Sequence, residues 1–339
     1  MKKRVVFFGS DGISLPLLEF LLASDCVEMT AIISQPDKPS GRGQKLVATA
    51  VSKFARHSGI PLLTPVKPDE ETANWIRFAG CDIILVMAYG HILRKNILQI
   101  PSLGIFNFHA SLLPKYRGAS PIETAIACGE TETGVSLMEI VEEMDAGGVA
   151  DAKEVPIGMG DTRLEVAANI AVACPILLQR NLDKICAGTL KLENQNSAEA
   201  TFTKKISKID GMLDFAESAA VLHNRIRALS PHIGCHIEHR GILLKIGRAS
   251  VEFTDCSPFN RGEIMCADGN CVKIATADGA LLIHELQKPG RKMLPVGDFL
   301  NGCSVNIGEI IPSHSLQSLV FKRPQRQIKN SCEEITKII

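Results

Sequence analysis

The chain carries no net charge: 37 Lys and Arg balance 37 Asp and Glu over 339 residues. That removes any whole-molecule electrostatic argument for a nucleic-acid partner. The halves differ, however. Residues 1–200 hold 19 basic against 23 acidic side chains, and residues 201–339 hold 18 against 14. The second half can face a polyanion, or simply present a mildly basic surface. Long apolar runs are also missing. None approaches the ~18 residues of a membrane span. The run after the basic tip of "MKKRVVFFGSDG" stops at Gly9, too soon for a signal-peptide core. The eleven cysteines contain no C-x-x-C pair, and Cys266 and Cys271, the closest two, are poorly spaced for zinc. No metal site is expected. The thiols read as reduced and mostly buried, which fits a cytoplasmic protein or an organellar matrix.

What is present is ordinary globular material, 45% hydrophobic and 22% charged, with length for two domains of about 150 residues. In the first half, strand-like and helix-like pieces alternate. "RVVFF", "MTAIIS", "DIILVMAYG", "LGIFNFHA" and "GVSLMEIV" read as strands. "SLPLLEFLLAS" reads as a helix with Ser14 as N-cap and Pro16 in its first turn, and a second helix spans about Asp161 to Cys186. Repeated β-α units predict an α/β fold with a doubly wound, mostly parallel sheet. "GSDG" at Gly9–Gly12 is a tight turn rather than a dinucleotide fingerprint.

Residues 190–208 are polar and lack a steady period, as a linker would. Beyond them, "GCHIEHR", "GILLKIGRAS", "GEIMCAD", "CVKIATADG" and "ALLIHEL" are short runs separated by Gly and Asp turns, predicting a small antiparallel barrel or sandwich. The expected boundaries are a catalytic domain at 1–189, the linker at 190–208, the barrel at 209–310 and a tail at 311–339 that looks peripheral and has no assigned role.

"FNFHASLLPKYRGASPI", Phe106 to Ile122, carries the chemistry. On a strand, Ile105, Asn107 and His109 share one face, and Phe106 and Phe108 take the other. Two hydrogen-bonding side chains at the carboxyl end of a parallel strand lie where open α/β sheets bind ligands. The alternative is a polar pair that merely satisfies a strand end. Backbone amides of the "SLLP" turn can cradle a ligand carboxamide or ring edge. "EEMDAGGVA" places Asp145 just after another strand that ends on the same rim, and an Asp beside a His favours the imidazolium. Gly147 and Gly148 allow close chain approach. Glu142 and Glu143 lack that freedom and read as solvated.

These residues resemble the folate-dependent formyltransferases, in which the matching Asn, His and Asp form the catalytic group. The motif alone also suits glycinamide ribonucleotide formyltransferases, which are single short domains, whereas this chain continues for well over a hundred residues. "SQPDKPSGRGQKL", Ser34 to Leu46, resembles the insertion loop of methionyl-tRNA formyltransferases. Arg42 matches the residue that wedges against the initiator acceptor stem. By composition alone the loop is a flexible basic surface segment. "VMAYGHIL", "ETGVSLMEI" and "FTKKISKIDGMLDF" extend the resemblance from about Arg4 to Asn301. Two positions depart from the family: Gly148 stands where an acidic residue is usual, and "SPHIG", Ser230 to Gly234, replaces an "NPWP"-like segment.

The resemblance implies a Rossmann-like formyltransferase domain followed by an OB-like barrel, in a monomer. It implies formyl transfer from 10-formyltetrahydrofolate, as co-substrate, to the α-amine of initiator methionyl-tRNA. Asn107 and His109, the latter held cationic by Asp145, would donate to the developing oxyanion, and Asp145 would take the amine proton. Tyr89, Gly90, Ser111, Leu112, Leu113, Pro114 and Gly147 would line the folate site. Lys38, Arg42 and Lys45 on the loop, and Lys204, Lys205 and Lys208 in the linker, would meet the tRNA. The rival readings are a formyltetrahydrofolate hydrolase-type enzyme, which uses water as acceptor, and a non-catalytic folate- or RNA-binding module.

Overall fold

A computed structural model describes residues 1–40, 43 and 45–324. Arg42 and the tail beyond residue 324 lie outside the described residues. Strand Lys3–Gly9 is flanked in parallel by Val27–Ile33 and Ile83–Met87. Leu62–Leu63 extends the sheet on one side and Ile105–His109 on the other, both in parallel. Glu132–Glu139 and Val149–Pro156 then add two antiparallel strands, completing seven. All five residues of Ile83–Met87 are buried, as expected of a strand covered on both faces. Phe7, Leu85, Phe106 and Phe108 pack beneath helices Leu15–Leu22 and Arg163–Ala187 on one face. Val6, Phe8, Ile84 and Ile105 pack with Ala73 and Ile76 of helix Glu70–Ala79 on the other. The alternation read along the Asn–His strand is therefore a real division between two cores.

Helix Arg163–Ala187 starts at a capping box made by Thr162 and Glu165 and ends at Gly188 with φ 67°. Helix Leu15–Leu22 starts differently from expectation. The Ser14 hydroxyl does not cap it but donates to the Met87 carbonyl at 3.0 Å, tying the turn to the neighbouring strand. Asp11 supplies the cap of the preceding short turn, accepting from Ile13 N at 3.0 Å.

The second half has two four-stranded antiparallel sheets. One contains Cys235–His239, Ile242–Ile246, Glu285–Gln287 and Leu294–Pro295; the other contains Ala249–Glu252, Ala280–Ile283, Val272–Ala275 and Ile264–Ala267. They share one apolar core with Phe215, Leu222, Ile226 and Leu229. The last three belong to a helix, Ala219–Leu229, that sequence periodicity did not single out. Two arginines on it are buried, which blurs its apolar face. Arg225 donates to the Asp210 and Gln317 carbonyls at 2.9 and 2.6 Å. Arg227 donates to the Gly158 and Asp161 carbonyls of the first half at 3.1 and 3.0 Å.

Two segments that look loose in sequence are structured. In the linker, Phe202–Thr203 pairs in parallel with Arg117–Gly118 and antiparallel with Val320–Phe321. After residue 310, Ile311 and Leu319 are buried in the second core. The start of the tail is thus part of the fold rather than peripheral. Ile311→Ala should cost about 2–5 kcal/mol by removing buried methyl groups. Urea unfolding measures this, and a loss below about 1 kcal/mol would show that the segment is dispensable.

Candidate active site

Strand Ile105–His109 sits where the sheet changes direction, parallel to Ile83–Met87 and antiparallel to Glu132–Glu139. Phe106 and Phe108 anchor it in the core, so Asn107 and His109 face the carboxyl rim from a rigid base. His109 is buried, and its Nε2 lies 3.0 Å from the Tyr116 carbonyl. A carbonyl only accepts, so Nε2 carries the proton of that bond. That leaves Nδ1 as the nitrogen on the Asp145 side, 3.7 Å from Asp145 Oδ2. That is ion-pair range when His109 is protonated, but longer than a hydrogen bond. The same Oδ2 accepts from Gly118 N at 2.7 Å. The half-buried Asn107 amide has no partner among the described residues, which leaves its N–H groups free for a ligand.

Both groups depend on unusual backbone. Tyr116, which orients His109, has φ 60°, and Asp145 has φ 50°. Such values are uncommon for non-glycine residues and cluster at functional sites. Thr201 and Thr203 brace the first loop. Tyr116 N donates to Thr201 Oγ1 at 2.8 Å, Arg117 N to the Thr201 carbonyl at 2.8 Å, and Ser120 N to Thr203 Oγ1 at 3.1 Å. The Asp145 loop is held by Gln195, whose Nε2 donates to the Asp145 and Gly147 carbonyls at 2.8 and 2.7 Å. Gln195 Oε1 accepts from Arg117 Nε and Nη2 at 3.0 and 2.8 Å. Tyr116, Arg117, Gln195, Thr201 and Thr203 were all missed from sequence. Only Tyr116 and Arg117, which lie inside the quoted motif, gave any signal; a glutamine in a polar linker gave none.

Several expected contacts change character. The Tyr89 ring is core, edge-on to Phe8 with centroids 5.0 Å apart, and burial pushes its phenol up to about 12. The Tyr89 carbonyl accepts from Gln35 Nε2 at 2.6 Å. Gly90 beside it is exposed, with φ 80°. In the "SLLP" turn the expected row of backbone donors reduces to one. Ser111 N donates to the His109 carbonyl at 2.9 Å and Leu113 N to Ser136 Oγ at 3.1 Å. Pro114 has no N–H, so Leu112 N–H is the donor left without a partner among the described residues. The apolar surfaces of Leu112, Leu113 and Pro114 remain partly open. Gly147 is required by the chain itself: a Cβ there would lie 1.9 Å from the Glu139 carbonyl. At Gly148 a Cβ would meet Leu192 Cβ at 2.8 Å, so the acidic residue usual there would displace the linker.

The cationic residues divide. Lys204 is already paired, 2.6 Å from the buried Asp210 carboxylate, with part of its side chain still exposed. Lys205 and Lys208 are exposed, as is Lys45 on the hairpin of Lys38–Ser40 and Lys45–Val47. Lys38, also exposed, donates to Gln35 Oε1. Among the described residues no cluster of three His, Cys, Asp or Glu could hold a metal ion, and no helix is long and apolar enough to cross a membrane.

Comparison with known proteins decides the family. A model described as "Formyl transferase" matches residues 3–182, and one described as "Formyl transferase, C-terminal domain" matches 205–304. A methionyl-tRNA formyltransferase of a Synechococcus species is 39% identical over 321 residues, covering 91% of this chain and 99% of its own. One from Coxiella burnetii is 36% identical over 304 residues, covering 89% and 96%. The chain belongs to the formyl transferase family. A solved N-formyltransferase from Helicobacter canadensis, in complex with folinic acid and dTDP-3-aminofucose, shares the fold. Its TM-score is 0.63 at 22% identity, over 85% of this chain and 100% of that one.

For a formyl transferase of this build, the Asp145 loop is set by a close backbone approach at Gly147. Gly147→Ala must push that loop off Glu139, a displacement of the order that costs roughly a hundredfold in rate. The expected result is a hundredfold fall in kcat with secondary structure retained by circular dichroism. Unchanged kcat would show that the loop's position does not matter.

Proposed function

We propose that the protein transfers the formyl group of 10-formyltetrahydrofolate to the α-amine of methionyl-initiator-tRNA. The observation that carries this reading is similarity to methionyl-tRNA formyltransferases at 36–39% identity along both halves of the chain. A hydrolase would not need the second domain's likeness to those enzymes, and a non-catalytic module would not need Asn107, His109 and Asp145 gathered on one rim. The donor is of the folate type, as in the family, and here the 10-formyl derivative; the acceptor is the initiator tRNA, and the protein acts as a monomer in the translating compartment.

The chemistry builds from the residues. The attacking amine forms a bond to the formyl carbon, and the formyl oxygen takes up negative charge. Asn107 donates an amide N–H to that oxygen. His109, fixed through Nε2 by Tyr116, presents Nδ1 to the same region and, when protonated, donates there. Such donors act from a preorganised position and cost nothing to reorient during reaction. An α-amino group titrates near pH 8, so a modest base suffices to free it. Asp145, directly or through a water, accepts the proton that the nitrogen loses and delivers it to the folate nitrogen as the carbon–nitrogen bond to the donor breaks. Leu112 N–H, with the apolar surfaces of Leu112, Leu113 and Pro114, is suited to hold the flat donor. Lys205, Lys208, Lys38, Lys45 and Arg42 are proposed to meet the RNA. Phosphate contacts of this kind position the RNA rather than read it.

Asn107→Ala, His109→Ala and Asp145→Ala should each lower kcat roughly a hundredfold or more, and combinations should fall little further because the groups act as a unit. Formylation of Met-tRNA, with formyl release in the absence of tRNA as control, measures this. Near-normal turnover in any single variant removes that residue from the catalytic group. Rapid release without tRNA favours the hydrolase.

A further inference from the structure

The stretch Lys191–Glu199 is exposed at every position except Gln195, which turns inward. Its amide is fully used. Two carbonyls, which only accept, fix the Nε2 end; a guanidinium, which only donates, fixes the Oε1 end. The orientation is therefore dictated by the partners. Nε2 serves the carbonyls of both Asp145, which carries the carboxylate, and Gly147, two residues on. Oε1 serves Arg117, a buried guanidinium that also lies 5.8 Å from the Phe202 ring centroid. The backbone on either side of Gln195 is pinned. Glu193 and Val149 exchange two backbone hydrogen bonds of 2.9 Å, and Thr201 N donates to the Pro114 carbonyl at 3.3 Å.

Gln195 thus joins the loop that holds His109 to the loop that holds Asp145, from a segment outside both. The carboxylate's remaining restraint is the bond from Gly118 N, itself on the loop that Thr203 braces. We infer that Gln195 is a positioning residue for Asp145, so that the segment joining the two domains sets the distance between the carboxylate and His109. This rests on Asp145 acting in the reaction. Gln195 touches neither reacting group; it acts through the backbone of the Asp145 turn.

Gln195→Glu tests the inference. Glutamate keeps the shape and the oxygen that accepts both Arg117 bonds, so its anchor survives. It has no hydrogens for the Asp145 and Gly147 carbonyls and sets a carboxylate against them instead. The expected result is a fall in kcat of roughly a hundredfold in the folded protein, with KM for both substrates within about twofold. A merely structural role predicts a lower melting temperature with normal kcat in the folded fraction. In an Asp145→Ala background under single-turnover conditions, Gln195→Glu should change the rate by less than about twofold, because what it positions is gone. If Gln195→Glu does not fold, the same readings apply to Gln195→Asn, which is neutral but one methylene too short to reach both loops. Normal kcat in the folded Gln195 variant, with Asp145→Ala inactive, overturns the inference alone. An equal loss in both backgrounds also overturns it. Full activity of Asp145→Ala overturns the reading of the site together with it.

Discussion

Asp145 and Tyr116 are held at positive φ, and the site exists only while they stay there. Each such residue costs of order 1–3 kcal/mol, whereas one ordinary hydrogen bond returns about 1 kcal/mol net. No single contact can maintain either turn; a set is needed, and the linker provides most of it. Thr201 holds Tyr116 and Arg117, Thr203 closes against Gly118 and Ser120, and Gln195 holds the Asp145 turn. The carboxylate also receives the Gly118 N–H, a charge-assisted bond of the stronger kind. The imidazole, in turn, is oriented by the Tyr116 carbonyl. Strain in the two loops and bracing from a third segment are one arrangement.

That arrangement also joins the two halves of the molecule. The bracing strand Phe202–Thr203 is paired on its far side with Val320–Phe321, which returns from the end of the second domain. Arg227 reaches from helix Ala219–Leu229 to the Gly158 and Asp161 carbonyls. Helix Pro121–Ala127, which follows the Asn–His motif, packs directly against Ala219–Leu229. The second domain is therefore built onto the loops of the candidate site rather than hung from them by a tether. An RNA held on that domain would be placed relative to the site by these same contacts.

The parts legible in the sequence were those governed by periodicity and short-range geometry. The five apolar runs of the first half became strands, and the period-2 rule placed Phe106 and Phe108 in one core and Ile105 in the other. The short runs of the second half became antiparallel strands. What escaped reading was governed by distant partners. Tyr89 looked like pocket lining because it ends a strand, yet its ring fills the core against Phe8. Lys204 was expected to meet RNA from a polar linker, yet it is already paired with the buried Asp210. Helix Ala219–Leu229 was obscured because Arg225 and Arg227 are buried on backbone carbonyls. Gln195 carries no local mark; its role comes from carbonyls almost fifty residues earlier in the chain.

The candidate site is already assembled in the ligand-free chain, and the amide hydrogen of Gly118 reports on that assembly directly. That N–H is committed to the Asp145 carboxylate at 2.7 Å, while the neighbouring Ala119 is exposed and serves as an internal control. Hydrogen exchange of the ligand-free protein should show Gly118 protected to a degree comparable with the buried amides of Ile83–Met87, and Ala119 exchanging fast. Exchange of Gly118 as fast as Ala119 would contradict the account, because the carboxylate would then be free of its loop until a ligand arrived.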